Sequence, residues 1–361
     1  MYYYSSRHSF VNQSSFSSGL AGNFDYAYSS FGAANLNVYS EKGNVWPIVL
    51  AAGEGSRLQG LVRQAYGVSI PKQYCSMYGG DSLLTSAIKR GERFSNDDRV
   101  CVVVADQHRS FWRASLSELD EENIIIQPMN RGTANGVLLA LLKIIARDAD
   151  ATIVLLPADH HIEDEPLFND AVRNALSQVE VHSEYVQLLG IEPTNPDSEL
   201  GYILPFEYDG HPSYRVKQFI EKPSSQTARE LIEAGGLWNA FIVVAKASSL
   251  LKLFVNSEPE IVSNMKYVLG SIDCAAGSYA DLLQLYSKLP TVDFSRHVLE
   301  GQEHLLRVLP VPDCGWSDLG TPNSLIAALR RSPVLHRNMI SDLCSSTVAC
   351  LSVAAGMFAN V

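Results

Sequence analysis

The sequence predicts an α/β fold, a Rossmann-like, mixed and mainly parallel sheet with helices on both faces. Three observations predict it. From about residue 45, short apolar runs alternate with amphipathic helical stretches. Several runs are apolar without alternation, as strands covered on both faces are. The polar and glycine-bearing clusters fall directly after the runs, where ligands bind in such sheets.

Taken in order, Pro47-Ile48-Val49-Leu50-Ala51 is the first strand, and Gly53 and Gly55 follow it at once. Asp81 is placed to cap a helix through Ser82 to Arg90. Arg99 to Ala105 and Asn123 to Gln127 read as the next two strands, rich in Val and Ile. Thr133 to Arg147 has an apolar helical face of Val137, Leu138, Leu141, Ile144 and Ile145, with Thr133 placed to cap it. Thr152 to Leu156 and Tyr185 to Ile191 are further strands. From about residue 200 the pattern changes: Gly201 to Leu204, Tyr214 to Ile220 and Leu237 to Ala245 are strand-like. A helix from Thr227 to Ala234 opens on a T-x-x-E capping box, Thr227 to Glu230. This half extends the same sheet and builds the lid for a second substrate. No internal repeat is present.

The chain of 361 residues is 46% hydrophobic, enough for a sizeable core, and divides into three parts. Residues 45–331 form the domain. Residues 1–44, rich in Ser, Tyr, Asn and Gly without a period of 3.6 or 2, read as a disordered extension, the alternative being a docking arm. Residues 332–361 form a tail of unknown role, too short and serine-dotted to span a membrane. A net charge of −11, from 39 acidic and 28 basic residues, excludes a nucleic-acid surface while leaving room for a local cationic site. The six cysteines form no C-x-x-C pair. With no signal-peptide run, they lead to the expectation of a reducing cytoplasm and no membrane partner. The oligomeric state stays open, a homo-oligomer included.

The stretch from Trp46 to Tyr74 carries the strongest chemical signal. Gly53 and Gly55 let backbone N–H groups approach an anion. Arg57 stands where a helix begins, and Pro71-Lys72-Gln73 delivers a second fixed cation. The combination suits a triphosphate whose charge grows during reaction. Two other phosphate motifs fail: G-x-G-x-x-G lacks its third glycine, and no Gly-Lys-Ser/Thr occurs in this stretch. Two glycines alone are equally those of an ordinary strand-to-helix turn.

Three further clusters complete the residue reading. Gln127-Pro128-Met129-Asn130-Arg131-Gly132-Thr133 offers two amide edges able to pair with a purine, or is a turn without a ligand. Asp159, in Pro157-Ala158-Asp159-His160-His161, sits at a strand exit, where a carboxylate needs a partner. Beside a triphosphate that partner is Mg²⁺. Zinc is disfavoured, because adjacent histidines on an extended chain point to opposite sides. Asp313-Cys314-Gly315-Trp316-Ser317-Asp318 is a polar turn late in the chain.

Leu-Ala-Ala-Gly-Glu-Gly-Ser-Arg-Leu (50–58) followed by Pro-Lys-Gln-Tyr (71–74) resembles the signature of sugar-1-phosphate nucleotidyltransferases, most of all the mannose-1-phosphate guanylyltransferase branch. The resemblance covers roughly 45–325. It implies a nucleotide-diphospho-sugar transferase fold, with Arg57 and Lys72 catalytic. The backbone of Leu50, Ala51, Ala52, Gly53 and Gly55, with Gln127, Asn130, Gly132, Thr133 and Asp159, is then the nucleotide site. Asp159 and Asp318, the latter in a G-W-S-D-x-G motif, are the metal ligands. Gly201-Tyr202, Glu221-Lys222 of F-x-E-K-P, Asn239 of the W-N motif, and Asp293 hold the sugar phosphate. Departures are the long polar segment between Leu58 and Pro71, and Trp238-Asn239-Ala240-Phe241 where many relatives read W-N-S-G. The implied reaction is transfer of GMP from GTP to mannose-1-phosphate with Mg²⁺, giving GDP-mannose and pyrophosphate. Another nucleotide or hexose phosphate, or a nucleotide-sugar sensor without turnover, are the alternatives.

Overall fold

A computed structural model describes residues 44–55, 69–76, 80–206, 208–272 and 279–320, with 324, 325 and 328. The N-terminal extension, nearly all of the C-terminal tail and Arg57 lie outside the described residues.

The strands are β1 (Val45–Leu50), β2 (Cys101–Ala105), β3 (Ile124–Gln127), β4 (Thr152–Pro157), β5 (Val186–Ile191), β6 (Gly201–Pro205), β7 (Tyr214–Glu221), β8 (Leu237–Lys246) and β9 (Leu306–Val311). The helices are α1 (Leu83–Glu92), α2 (Arg109–Ser115), α3 (Gly132–Arg147), α4 (Glu165–Val181), α5 (Ser225–Glu233), α6 (Ala247–Ser257), α7 (Pro259–Ile272) and α8 (Tyr279–Lys288). The strands form one nine-stranded sheet in the order β3-β2-β1-β4-β8-β5-β9-β7-β6. Pairings are parallel from β3 to β4 and between β5 and β9. They are antiparallel around β8, and where β7 meets β6 and β9. The sheet is therefore mixed, and its antiparallel pairings lie where the sequence pattern changes near residue 200.

Strand alternation sends side chains to two cores. Trp46, Ile48, Val103, Ile125 and Leu155 face α3 and α6, while Val49, Val102, Val104, Val154 and Leu156 face residues of α1 and α4. Both faces are covered, which is why these strands read as near-continuous apolar runs. α3 is buried along most of its length, from Ala134 to Leu142 without a break.

Three capping expectations are corrected. Ser82 caps α1, its Oγ accepting from Thr85 N at 3.1 Å, while Asp81 pairs with Lys89 at 2.6 Å. Ser224 caps α5 by accepting from Thr227 N, so Thr227 lies inside a helix that begins earlier. Thr133 also lies inside its helix, and its Oγ1 accepts from Phe294 N at 2.8 Å. In each case the preferred cap is the residue whose extended backbone brings its oxygen to the first free N–H, or no side chain caps at all.

β8 pairs with three strands. Leu188 of β5 faces Val243, yet Gly190 faces Asn239. Ala240, Phe241 and Ile242 thus stand opposite Leu189 alone, and β8 bulges there. Ile191 at the end of β5 and Tyr202 near the start of β6 both face Trp238, so β6 begins at the carboxyl edge of the sheet.

Candidate active site

A cavity of about 490 Å³ opens at the carboxyl ends of β1, β3 and β4. Fourteen of the residues expected in the site line it: Leu50, Ala52, Gly53, Gln127, Asn130, Gly132, Thr133, Asp159, Gly201, Glu221, Lys222, Asn239, Asp293 and Asp318. Four expected residues stand behind the lining. Ala51 is buried, its N–H bonded to Val103 O and its carbonyl accepting from Gln73 and Tyr74. Gly55 packs against the backbone of Lys72. Tyr202 is fully buried, and its hydroxyl accepts from Asp197 N at 2.9 Å, propping the loop before β6. Lys72, the fourth, is buried too.

The glycine loop is braced from beneath. Gln73, in the short 3-10 turn Lys72–Tyr74, donates to Ala51 O at 2.9 Å and to Gly53 O at 2.8 Å. The Pro-Lys-Gln run thereby acts on the loop through its amide as well as its cation.

Two carboxylates far apart in sequence are brought together by a two-residue bridge. His161 N donates to Ser317 O at 2.9 Å and Ser317 N to His161 O at 3.0 Å. The bridge ties the exit of β4 to the turn after β9 and brings Asp159 and Asp318 to one cavity wall. The Lys72 ammonium sits between the two segments, 3.0 Å from Asp159 Oδ2, and donates to Asp318 O at 2.6 Å and Leu319 O at 3.3 Å. Burial opposes ionisation of Asp159, but the charge of Lys72 and the bonds it makes prevail and hold the carboxyl below its ordinary range. His160 is kept neutral chiefly by burial. Its Nδ1 accepts from Trp316 Nε1 at 3.2 Å, which leaves the Nε2 hydrogen for Asp159, 3.8 Å away.

At one end of the cavity, Gly132 has φ +83°, and a Cβ there would lie 2.2 Å from Val292 O. Asn130 Oδ1 accepts from Gly132 N at 3.0 Å, which fixes the turn into α3. Gln127 is buried, and its Oε1 has no hydrogen-bond partner among the described residues. Gly136 makes room for it, since a Cβ there would stand 2.7 Å from Gln127 Nε2.

At the opposite end, a Cβ on Gly201 would meet Glu221 Oε2 at 2.5 Å and Asn239 Cβ at 3.3 Å, so these three residues form one contact. Burial, and then the neighbouring charge of Asp293, push the Glu221 carboxyl up to about 7. Lys222 lies half exposed at the mouth, 3.9 Å from Glu221 Oε1. Both ends of the Asn239 amide are engaged: Oδ1 accepts from Phe241 N at 3.0 Å, and Nδ2 donates to Ser295 Oγ at 3.3 Å. Asp293 Oδ1 accepts from Arg296 N at 2.9 Å, starting the turn Ser295–Leu299.

Glu199, Leu200, His160, Gln73, Phe241 and Trp316 also line the cavity, although the sequence did not assign them to the site. Each lies within one or two residues of an assigned position, which is the signal that could have found them.

Comparison with known proteins agrees with this architecture. A sequence profile described as nucleotidyl transferase matches residues 46–332. A mannose-1-phosphate guanylyltransferase of Salmonella typhimurium is 34% identical over 284 residues, covering 77% of this chain and 57% of the relative. One from Escherichia coli is 31% identical over 290 residues, covering 78% and 59%. A solved Thermus thermophilus structure, described as a mannose-1-phosphate geranyltransferase, is 26% identical with a TM-score of 0.67 and covers 81% of each chain. The chain spans little more than half the length of the curated relatives it matches. With the profile covering most of its length, the chain belongs to the nucleotidyl transferase family.

Proposed function

We propose that this chain transfers GMP from GTP to mannose-1-phosphate, releasing pyrophosphate and forming GDP-mannose. The observation that carries the reading is the convergence of the glycine loop, the Gln127 amide, two carboxylates and the Gly201–Glu221–Asn239 cluster on one cavity. The similarity to mannose-1-phosphate guanylyltransferases supports guanine as the base and mannose as the hexose. The unpartnered Oε1 of buried Gln127 supports a guanine, whose N1–H and amino group are donors a buried acceptor lacks.

The nucleophile is a phosphate oxygen of the sugar phosphate, already anionic near neutral pH, so the protein need not supply a general base. Its work is alignment and charge stabilisation. Gln73 holds the glycine loop ready for the phosphates, and Lys222 faces the sugar phosphate from the mouth. Lys72 fixes the orientation of Asp159 and tethers the backbone at Asp318. The described lining holds Asp159, Glu199, Asp293 and Asp318, with Glu221 part-protonated near neutral pH, against Lys222, an imbalance that a polyphosphate would meet as repulsion without added cations.

Mg²⁺ fits this donor set. It takes one or two carboxylates and completes its shell with water and phosphate oxygens. Asp159 and Asp318 offer hard oxygens on one wall. No group of three His, Cys, Asp or Glu able to hold a metal occurs among the described residues. Asp159 and Asp318 would hold the ion, which neutralises phosphate charge when bound. No helix among the described residues is long and apolar enough to cross a membrane.

The test is pyrophosphate release with several nucleoside triphosphates crossed against several hexose-1-phosphates. GTP with mannose-1-phosphate is expected to give the highest kcat/KM. Binding of the pair without pyrophosphate release would identify a sensor instead.

A further inference from the structure

Among the described residues, three that are not glycine have a positive φ: Lys222 at 52°, Phe241 at 55° and Leu319 at 47°. All three border the same cavity. Lys222 and Phe241 line it, and Leu319 follows the lining residue Asp318 and receives a hydrogen bond from Lys72. Left-handed backbone disfavours a bulky side chain and persists only where the surroundings impose it. Phe241 is the bulkiest of the three. It also sits in the bulge of β8, where a strand can accommodate an irregular residue and re-aim its side chain.

The surroundings that impose the Phe241 conformation can be named. Its N–H is held by Asn239 Oδ1 at 3.0 Å. Its ring packs on Phe294 with centroids 5.7 Å apart, and Phe294 N is in turn held by Thr133 Oγ1. Phe241 is therefore wedged between the Gly201–Glu221–Asn239 cluster on one side and the start of α3 on the other. It presents an apolar ring where the neighbouring lining residues Glu221, Lys222, Asn239, Thr133 and Asp293 are polar. Nothing in the strand pairing requires that ring. Glycine would satisfy the backbone and remove a ring that packs on the core at Phe294 and borders the cavity.

We propose that Phe241 is a specificity-determining residue. Its ring closes the sugar end of the cavity and admits a hexose-1-phosphate with small ring substituents, while excluding one with a bulky substituent such as a 2-acetamido group. The proposal deepens the transferase reading and rests on it for the identity of that end. A pocket wall discriminates by the volume it leaves, and one extra apolar group is typically worth a factor of about 10–200.

The test compares wild type, Phe241→Gly and Phe241→Leu with mannose-1-phosphate and an N-acetylhexosamine-1-phosphate, GTP being saturating. The quantity read is the ratio of the two kcat/KM values, which cancels any loss of correctly folded enzyme. Phe241→Gly is expected to shift this ratio toward the N-acetylated sugar by about tenfold or more. Phe241→Leu, which retains bulk, is expected to stay near wild type. A ratio within twofold of wild type for Phe241→Gly would overturn the proposal. The ratio of dissociation constants for the two sugar phosphates, measured by calorimetry, gives the same answer without turnover. A wild type that binds both classes of substrate and releases no pyrophosphate would defeat the transferase reading, while the dissociation-constant ratio still decides the role of Phe241. A wild type that binds neither sugar phosphate would overturn both.

Discussion

The Lys72 ammonium stands 3.0 Å from Asp159 Oδ2 and is also bound to the carbonyls of Asp318 and Leu319. One buried cation thereby links the glycine-loop brace, the exit of β4 and the turn after β9. With three acceptors in reach, its three N–H donors are all engaged in holding the site together.

Lys72→Met is expected to lower kcat by roughly 100- to 1000-fold, the loss typical of a preorganised charge in a site. The pH dependence carries the sign. In the wild type the depressed Asp159 carboxyl contributes stability above the ordinary carboxylate range, lost as pH falls through its folded value. Without Lys72, burial is left to oppose ionisation, so the depression and the acid loss it causes are expected to disappear. Thermal unfolding from pH 3 to 7 measures it, and an unmoved acid limb would refute the pairing.

Asp159→Asn and Asp318→Asn each remove a hard oxygen from the wall proposed for Mg²⁺. Each is expected to raise the Mg²⁺ concentration for half-maximal rate by about tenfold or more, in line with losses at metal-site positions. A Mg²⁺ titration of either variant that overlays wild type would remove that residue from the ligand set.

Glu221 supplies the opposite pH signature. Its folded value of about 7 lies above the ordinary value of 4.5, so the folded state holds the proton more tightly. Stability from this group is full below about pH 4.5 and declines as pH rises to about 7. Glu221→Gln is expected to flatten that decline. Unfolding midpoints at pH 4.5, 6 and 7.5 check it, and an equally steep fall in the variant would refute it.

Lys222→Ala is expected to raise the KM for the sugar phosphate several-fold with little change in kcat, since the contact exists before and during transfer. A rise in the KM for GTP instead would reassign the mouth of the cavity.

Gly132→Ala is a stability prediction. Its Cβ would meet backbone atoms of Val292, with O at 2.2 Å, at a φ of +83°. The expected cost is roughly 3 kcal/mol, from strain added to overpacking. Gly53→Ala, whose Cβ meets nothing within 4 Å, is the matched control and is expected to unfold close to wild type. Chemical denaturation compares the two.

Much of this was legible in the chain. Apolar runs predict β1, β2, β3, β4 and β5 because strands buried on both faces need apolar residues at every position. Short motifs at strand ends predict where the cavity lining falls, since Asp159 and Gly53 closely follow β4 and β1 and Gln127 ends β3. What was not legible is long-range pairing. Nothing local shows that the Lys72 ammonium turns toward Asp159, or that the Tyr202 ring turns inward while Gly201 faces the cavity. The helix caps failed for a related reason: Asp81 and Ser82 are both good caps by type, and backbone geometry chooses between them. Phe241 was visible only as a missing glycine, and its positive φ gives that absence its meaning.

β8 carries Phe241 in a bulge just after Asn239, and it is also the seam joining the parallel half of the sheet to the rest. Building the fold and building the site are therefore one event. A chain that closed its parallel half but docked β8 one residue out of step would turn Asn239 away and bring Ala240 in its place. Such a molecule would be compact and helical yet lack the assembled Gly201–Glu221–Asn239 cluster. Substrate affinity is thus a stricter gauge of correct assembly than any measure of secondary structure, and ligand added during refolding should select the properly registered chains.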